Sequence, residues 1–258
     1  MITSASNARI KEIVSLLQKA KTRREKNSFV VEGTRLFSEV PKELIQEIYV
    51  SEAFLEKAEN RDLLQGFSYE VVSQSVFAKI SDTKTPQGIL AVVKQPNYCI
   101  EQMLEDKPLL VLLEDVQDPG NLGTIMRTAE GAGATGVIMS RETVDIYNPK
   151  TVRSTMGSIF RVPFVYVEDL QQTMEQLKQH QIMIYAAHLK GSKVYDEFSY
   201  QQGCAFLMGN EGNGLKKETA DKADEYLLIP MAGKLESLNV AVATALLTYE
   251  VARQRRFK

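Results

Sequence analysis

Ala205-Phe206-Leu207-Met208, running into Gly209-Asn210-Glu211-Gly212-Asn213-Gly214, is an apolar run of strand length that stops in a glycine-rich polar turn. Two more stretches share the pattern. Leu110-Val111-Leu112-Leu113 leads into Asp118-Pro119-Gly120-Asn121-Leu122-Gly123, and Tyr226-Leu227-Leu228-Ile229 leads into Pro230 through Asn239. A parallel sheet places its ligands where strands end and crossover segments begin. Three such turns in one half of the chain predict an α/β fold with one shared pocket at its strand ends.

Outward from these turns the chain alternates between short apolar runs and longer amphipathic ones. Strands are expected at 109–115, 136–140, 163–167, 182–187, 204–209 and 226–230, with helices at 121–132, near 149–156, at 168–180, near 215–222 and at 239–254. That order indicates a mainly parallel sheet with helices on both faces. Upstream, Ile10, Ile13, Val14, Leu16 and Leu17 recur at helical spacing after Ser4 to Asn7, so an amphipathic helix opens the chain. Strands are expected at 28–31, 47–50, 69–72 and 88–93, between helical stretches near 34–40, 52–60 and 75–80. Gln95-Pro96-Asn97-Tyr98 breaks the pattern. The organisation read from this is a small α/β domain at 1–95, a linker at 96–107 and a second α/β domain at 108–258.

The 258 residues are 44% apolar and 25% charged, an ordinary globular composition able to bury a core. A net charge of -2 argues against a general polyanion binder, but residues 1–26 hold seven basic residues against Glu12 and Glu25. That excess is either a solvated helix face or a surface for phosphates. The apolar runs fall far short of the roughly 20 residues that span a bilayer, and the first residues lack a basic-then-apolar signal. A cytoplasmic protein is expected. Cys99 and Cys204 stand apart from any Cys/His cluster, so neither a disulfide framework nor a metal site is expected.

Gly131-Ala132-Gly133-Ala134-Thr135-Gly136 fits G-x-G-x-x-G, but a helix precedes it and a strand follows, the reverse of a dinucleotide fingerprint. The glycines are better read as a helix end and a turn. Gly209 and Gly214 have phosphate-loop spacing, yet Leu215 and Lys216 stand where Lys and Ser or Thr belong. What remains is a turn whose amides can approach a ligand closely. Asn121 can cap a helix that carries Arg127 two turns in, and Asn239 or Ser237 can cap the last helix.

Taken together, Asn121-x-Gly123-x-x-x-Arg127, Leu207-Met208-Gly209-Asn210-Glu211-Gly212-x-Gly214 and Ile229-Pro230-Met231 through Ser237-Leu238-Asn239-Val240-Ala241 closely resemble the three motifs of the SpoU, or TrmH-like, RNA ribose 2'-O-methyltransferases. The N-terminal part resembles the family's L30e-like substrate-binding domain, through Ile2-Thr3-Ser4 with Asn7, Lys21-x-Arg23-Arg24 and Phe29-Val30-Val31-Glu32-Gly33. The resemblance implies a SPOUT domain with a C-terminal trefoil knot, S-adenosylmethionine as methyl donor, no metal, and a homodimer through the C-terminal domain whose site uses both subunits. It implies Gly209, Ile229, Met231 and Leu238 at the cofactor, and Arg127, Glu211, Ser237 and Asn239 at the catalytic centre. Asn121, Asn7, Lys11, Lys21, Arg23 and Arg24 are the candidates for RNA contacts.

Methyl transfer to a ribose 2'-oxygen requires alignment of the reacting atoms and an acceptor for the hydroxyl proton. Arg127 is the activator the family suggests, but a guanidinium with a pKa above about 12 is a reluctant base. The alternative has Arg127 contacting substrate phosphate and ribose oxygen while phosphate or solvent takes the proton. The implied substrate is structured RNA, with 23S ribosomal RNA at guanosine favoured and tRNA second. A catalytically silent RNA-binding module is the alternative function, and it accounts for the basic helix alone.

Overall fold

The computed structural model describes residues 1–191 and 193–256. The chain divides into two compact units, Met1–Asn97 with Asp145–Phe160, and Tyr98–Val144 with Arg161–Lys258.

The first unit begins with α1 (Ala8–Gln18), α2 (Ala20–Lys26), β1 (Ser28–Glu32), α3 (Thr34–Phe37), β2 (Ile45–Ser51), α4 (Ala58–Leu63), β3 (Glu70–Val72), α5 (Gln74–Ile80) and β4 (Ile89–Lys94). Asn7 caps α1 by accepting the Arg9 N–H at 2.9 Å, and Ile10, Ile13 and Leu16 bury one face of the helix. The single opening helix expected from sequence is two helices. Lys19 is extended (φ -123°, ψ 114°), which restarts the chain and turns Arg23 inward. The stretch expected as one helix at 52–60 is likewise a 3-10 turn, Ala53–Glu56, and α4, separated by extended Lys57. The strands lie in the order β1-β4-β2-β3, antiparallel except for β2 with β3. Tyr49, Val72, Phe77, Ile80 and Leu90 share a core with the buried residues of α1.

The second unit follows with β5 (Leu109–Leu113), α6 (Pro119–Ala132) and β6 (Gly136–Ser140). Next comes α7 (Pro149–Thr155), which belongs to the first unit, and then β7 (Phe164–Val167), α8 (Leu170–Gln179), β8 (Met183–Ala187), β9 (Lys193–Val194), β10 (Cys204–Met208), α9 (Lys217–Ala220), β11 (Glu225–Leu228) and α10 (Val240–Arg256). Seven strands pair in the order β7-β6-β5-β10-β8-β11-β9, and every pairing is parallel. All residues of central β5 and β10 are buried, which is why both read as unbroken apolar runs. Gly133, at φ +75°, ends α6, so the misplaced G-x-G-x-x-G is indeed a helix terminus. Two-residue β9 was not foreseen, being too short to carry a period. Just before it, a Cβ on Gly191 would lie 2.6 Å from the carbonyl carbon of Leu227, so the chain passes β11 with no room for a side chain.

Burial pushes the Cys204 thiol up to about 12, against the opposing pull of Arg255, so it stays a protonated core residue. Among the described residues no helix is long and apolar enough to cross a membrane, and no His, Cys, Asp or Glu group could hold a metal ion.

Candidate active site

The turns after β5, β10 and β11 open onto one pocket of about 1020 Å³. At the first turn Asp118 caps α6, its carboxylate accepting the Asn121 N–H at 2.9 Å, and Pro119 starts the helix where no N–H is needed. The helix thus starts two residues upstream of the position expected from sequence, and its cap is Asp118. Asn121 is thereby freed to use its side chain elsewhere.

The second turn is folded on itself. Asn210 and Gly214 exchange backbone hydrogen bonds at 3.1 and 2.9 Å, and Asn210 Oδ1 accepts the N–H groups of Gly212 and Asn213 at 2.9 and 3.0 Å. A Cβ on Gly209 would stand 2.3 Å from the Gly214 carbonyl carbon, so only glycine permits this return. The loop is fastened to the end of β5 at several points. Buried Glu114 accepts the Lys216 N–H at 2.8 Å and the Thr219 hydroxyl at 2.5 Å, Asn210 Nδ2 donates to the Asp115 carbonyl at 2.8 Å, and Lys216 pairs with Asp115 at 2.7 Å.

Glu211 faces the first turn and joins it. Its carboxylate accepts from Gln117 N at 3.0 Å, Asp118 N at 2.9 Å and Asn121 Nδ2 at 3.0 Å. Partial burial works against the charge, but the Asn121 amide, the N–H groups of Gln117 and Asp118 and its own N–H outweigh it, and the carboxyl is held below its ordinary value. From the third turn, Asn239 caps α10 by accepting the Ala241 N–H at 2.9 Å and donates through Nδ2 to Asn121 Oδ1 at 2.9 Å. Asn239, Asn121 and Glu211 therefore form one relay across three strand ends.

Of the sequence candidates, Gly209, Glu211, Ile229, Met231, Ser237, Leu238, Asn239 and Asn121 all line this pocket. Arg127 does not. It is exposed on α6, and it makes no hydrogen bond or ion pair among the described residues. The packed side of α6 is centred on Leu122, Ile125, Met126 and Ala129, and Arg127 lies off that arc although Gly123, four residues earlier, is buried.

In the first unit the RNA candidates separate. Lys11 and Arg24 are exposed and unpaired among the described residues, Lys21 pairs loosely with Glu25 at 3.7 Å, and the Asn7 side-chain oxygen serves as the helix cap. Arg23 is a correction. Only 3% exposed, it donates from Nε and Nη2 to Asp145 Oδ2 at 2.9 and 2.7 Å and from Nη1 to the Leu16 and Leu17 carbonyls, so its guanidinium is closed to phosphate.

Sequence reasoning passed over Gln117, Asp118, Asn210, Asp115 and His188. The last lines the pocket, its ring stacked on Tyr226 at 4.8 Å with Nδ1 accepting the Lys190 N–H at 3.0 Å. Its place immediately after a parallel strand was a signal that could have found it.

Fold and site together define a parallel α/β enzyme with a pocket sized for a cofactor-like organic ligand, walled by main-chain groups, aliphatic side chains and fixed amides. The family model described as the SpoU rRNA Methylase family matches residues 108–249, and that of an MRM3-like substrate binding domain matches residues 7–91. The chain is 36% identical over 252 residues to the 23S rRNA (guanosine(2553)-2'-O)-methyltransferase RlmP of Bacillus subtilis, covering 97% of this chain and 98% of that one. It resembles the crystal structure of the SpoU methyltransferase AviRb from Streptomyces viridochromogenes in complex with AdoMet, with a TM-score of 0.88, 28% identity and coverage of 97% and 99%. It also resembles the AdoMet-bound rRNA methyltransferase from Sinorhizobium meliloti, with a TM-score of 0.81, 34% identity and coverage of 98% and 97%. The chain belongs to the SpoU rRNA methylase family.

Proposed function

We propose that this protein transfers a methyl group from S-adenosylmethionine to a ribose 2'-hydroxyl of 23S ribosomal RNA, at a guanosine. The observation that carries the reading is the convergence of three strand-end turns, tied by Glu211, Asn121 and Asn239, on a single pocket. The family match and the AdoMet-bound neighbours support the donor, and RlmP supports the substrate. The silent alternative has no support from either.

The pocket's chemistry suits that donor. Its volume of about 1020 Å³ exceeds that of a nucleoside-sized molecule, and Met208, Leu227, Leu228, Ile229, Met231 and Leu238 supply apolar wall beside the backbone of the glycine-rich turn. Gly209, Ile229, Met231 and Leu238 are the residues that would hold it. When bound, S-adenosylmethionine supplies a methyl group on a sulfonium centre. Glu211 holds the first turn against the second, and Asn239 and Asn121 fix the third, so the alignment that transfer demands is built before substrate arrives. Ser237, at the rim and unpaired among the described residues, is available to the ribose. In that transfer the methyl C–S bond would break, leaving a neutral thioether, as the C–O bond forms, and the hydroxyl proton would pass to substrate phosphate or solvent. Arg127 orients the phosphate and the ribose oxygen, since a guanidinium donates readily and accepts no proton at neutral pH.

Arg127 lies outside the pocket of its own chain, exposed and unpaired among the described residues. In this reading a homodimer through the C-terminal domain brings Arg127 of one copy to the pocket of the other. Residues 1–95 form the substrate-binding domain, 108–258 the SPOUT domain apart from Asp145–Phe160, which belongs to the first compact unit, and a trefoil knot shapes the cofactor loops. The close passage of Gly191 past the β11 backbone fits a chain that winds tightly on itself.

The test is methyl transfer from labelled S-adenosylmethionine to separate 23S rRNA and tRNA preparations from cells lacking the gene, with the product mapped by mass spectrometry. Label in guanosine ribose of 23S rRNA is expected, and label confined to tRNA or to a base refutes the assignment. Mixing Arg127→Ala with Asn239→Ala chains, at S-adenosylmethionine dilute enough to leave the Asn239→Ala chain largely unloaded, should give more activity than the two parents summed if the site is shared between copies, and a mixture no more active than that sum refutes the shared site.

A further inference from the structure

The strongest unexplained feature outside the pocket is the loop between α5 and β4. Glu32, at the end of β1 and only 9% exposed, accepts the Ser81 hydroxyl at 2.5 Å, the Thr83 hydroxyl at 2.7 Å and the Asp82 N–H at 2.9 Å. From the other end of the same loop, Gln87 Oε1 accepts the Thr34 N–H at 2.8 Å and the Thr34 hydroxyl at 3.1 Å. Gly33, at φ +95°, donates its N–H to the Ile89 carbonyl at 3.0 Å and leaves a Cβ only 3.0 Å from Gln87 Oε1. The mostly buried Glu32 carboxylate thus fixes 81–83, at a cost in desolvation that is repaid by fixed geometry, and the Gln87 amide oxygen fixes the other end of the loop beside Thr34.

Two cations stand on this frame. Arg35 and Lys84 are exposed, each adjoins a braced residue, and neither makes a hydrogen bond or ion pair among the described residues. In the basic opening helices four cations already face carboxylates, Arg9 with Glu70, Lys21 with Glu25, Arg23 with Asp145 and Lys26 with Glu12, and the exposed Lys11, Lys19 and Arg24 adjoin no loop braced in this way. A pre-ordered loop with free cations gives up little conformational entropy on meeting a polyanion. Paired cations must first break a bond.

We propose that the braced segments 33–35 and 81–88 form an RNA interface of the first unit, with Arg35 and Lys84 contacting backbone phosphates. The proposal rests on the reading of this protein as an RNA-directed enzyme and not on which RNA it modifies. Contacts of this kind set register without reading bases. Glu32 is the positioning residue, acting through Ser81, Asp82 and Thr83.

The full-length chain and its Arg35→Ala/Lys84→Ala variant are compared by binding to a 23S rRNA transcript across a salt series. Expected are an affinity lower by about tenfold near physiological salt and a salt slope shallower by about two, at roughly 0.9 per phosphate contact in duplex regions. The S-adenosylmethionine KM and the melting temperature should not move, and Arg35→Lys/Lys84→Arg should recover most of the affinity. Glu32→Gln, with both cations intact, should lower affinity and change the slope by less than one. Unchanged affinity and slope in the double alanine variant overturn the proposal. So does a larger loss from Lys11→Ala/Arg24→Ala, which would return the contact to the opening helices. A change in oligomeric state with RNA affinity preserved also overturns it, by making the surface a protein interface. Failure of the wild-type chain to methylate any RNA would sink the functional reading, and the binding comparison would still decide the interface.

Discussion

In the second unit Glu211 accepts three hydrogen bonds from a turn some 90 residues away, and Asn239 reaches back 118 residues to Asn121. In the opening helices of the first unit, four of seven cations lie in ion pairs and one of those, Arg23, is buried. Both regions stand out in the sequence, one by glycine-rich polar turns and the other by charge. The difference teaches that a polar residue at a parallel strand end has few places to go except the shared crevice, whereas a basic residue on a helix finds a carboxylate as readily as a phosphate. Spacing is the better guide to function; net charge counts groups that the fold has already neutralised.

Substitutions can break this comparison. Arg127→Ala should cost the most, on the order of a thousandfold in kcat or about 4 kcal/mol of barrier, with an unchanged melting temperature because the side chain bonds to nothing among the described residues. Transfer within tenfold of wild type would remove Arg127 from the site. Arg23→Ala comes next, lowering stability by about 3 kcal/mol, since it strands two backbone carbonyls and a partly exposed Asp145. Denaturant titration measures that loss, and the salt slope of RNA binding should stay at the wild-type value; a shallower slope would make Arg23 a phosphate contact after all.

Asn239→Ala should weaken S-adenosylmethionine binding by about tenfold, by calorimetry, and lower stability by about 1 kcal/mol through the lost cap of α10. An effect on stability alone would reduce Asn239 to its capping role. The smallest effect belongs to acid. Because the folded Glu211 carboxyl sits below its ordinary value of 4.5, its bracing is complete above that pH and is lost as the pH falls through the lower folded value. Cofactor affinity should therefore be indifferent to Glu211 titration near neutrality and fall only at strongly acidic pH. Glu211→Gln should lack that acid limb, and an identical limb in the variant would assign it to another group.

Much of the fold was legible because the signals are local. The runs 110–113 and 204–208 are apolar throughout, as strands buried on both faces must be, and Gly133 marks the end of α6. Helix breaks at Lys19 and Lys57 were not legible, since neither position carries Gly or Pro; buried Arg23 and Phe54 lie in the segments beside them. The contacts of His188, Asp115 and Lys216 were not legible, because the stacking of His188 on Tyr226 and the Asp115–Lys216 pair join positions that no short window contains.

The order of elements, the parallel sheet and the gathering of function at three strand ends were set by hydrophobic period and turn chemistry, which act over about ten residues. Tertiary structure alone decided which cations are free. It joined Arg23 to Asp145, 122 positions away, left Arg127 outside the pocket, and fastened the loop beside Arg35 and Lys84 to Glu32. The reason is that a hydrogen-bonding or charged group is satisfied by whatever the finished fold brings within about 3 Å, and proximity of that kind is a property of the packed chain.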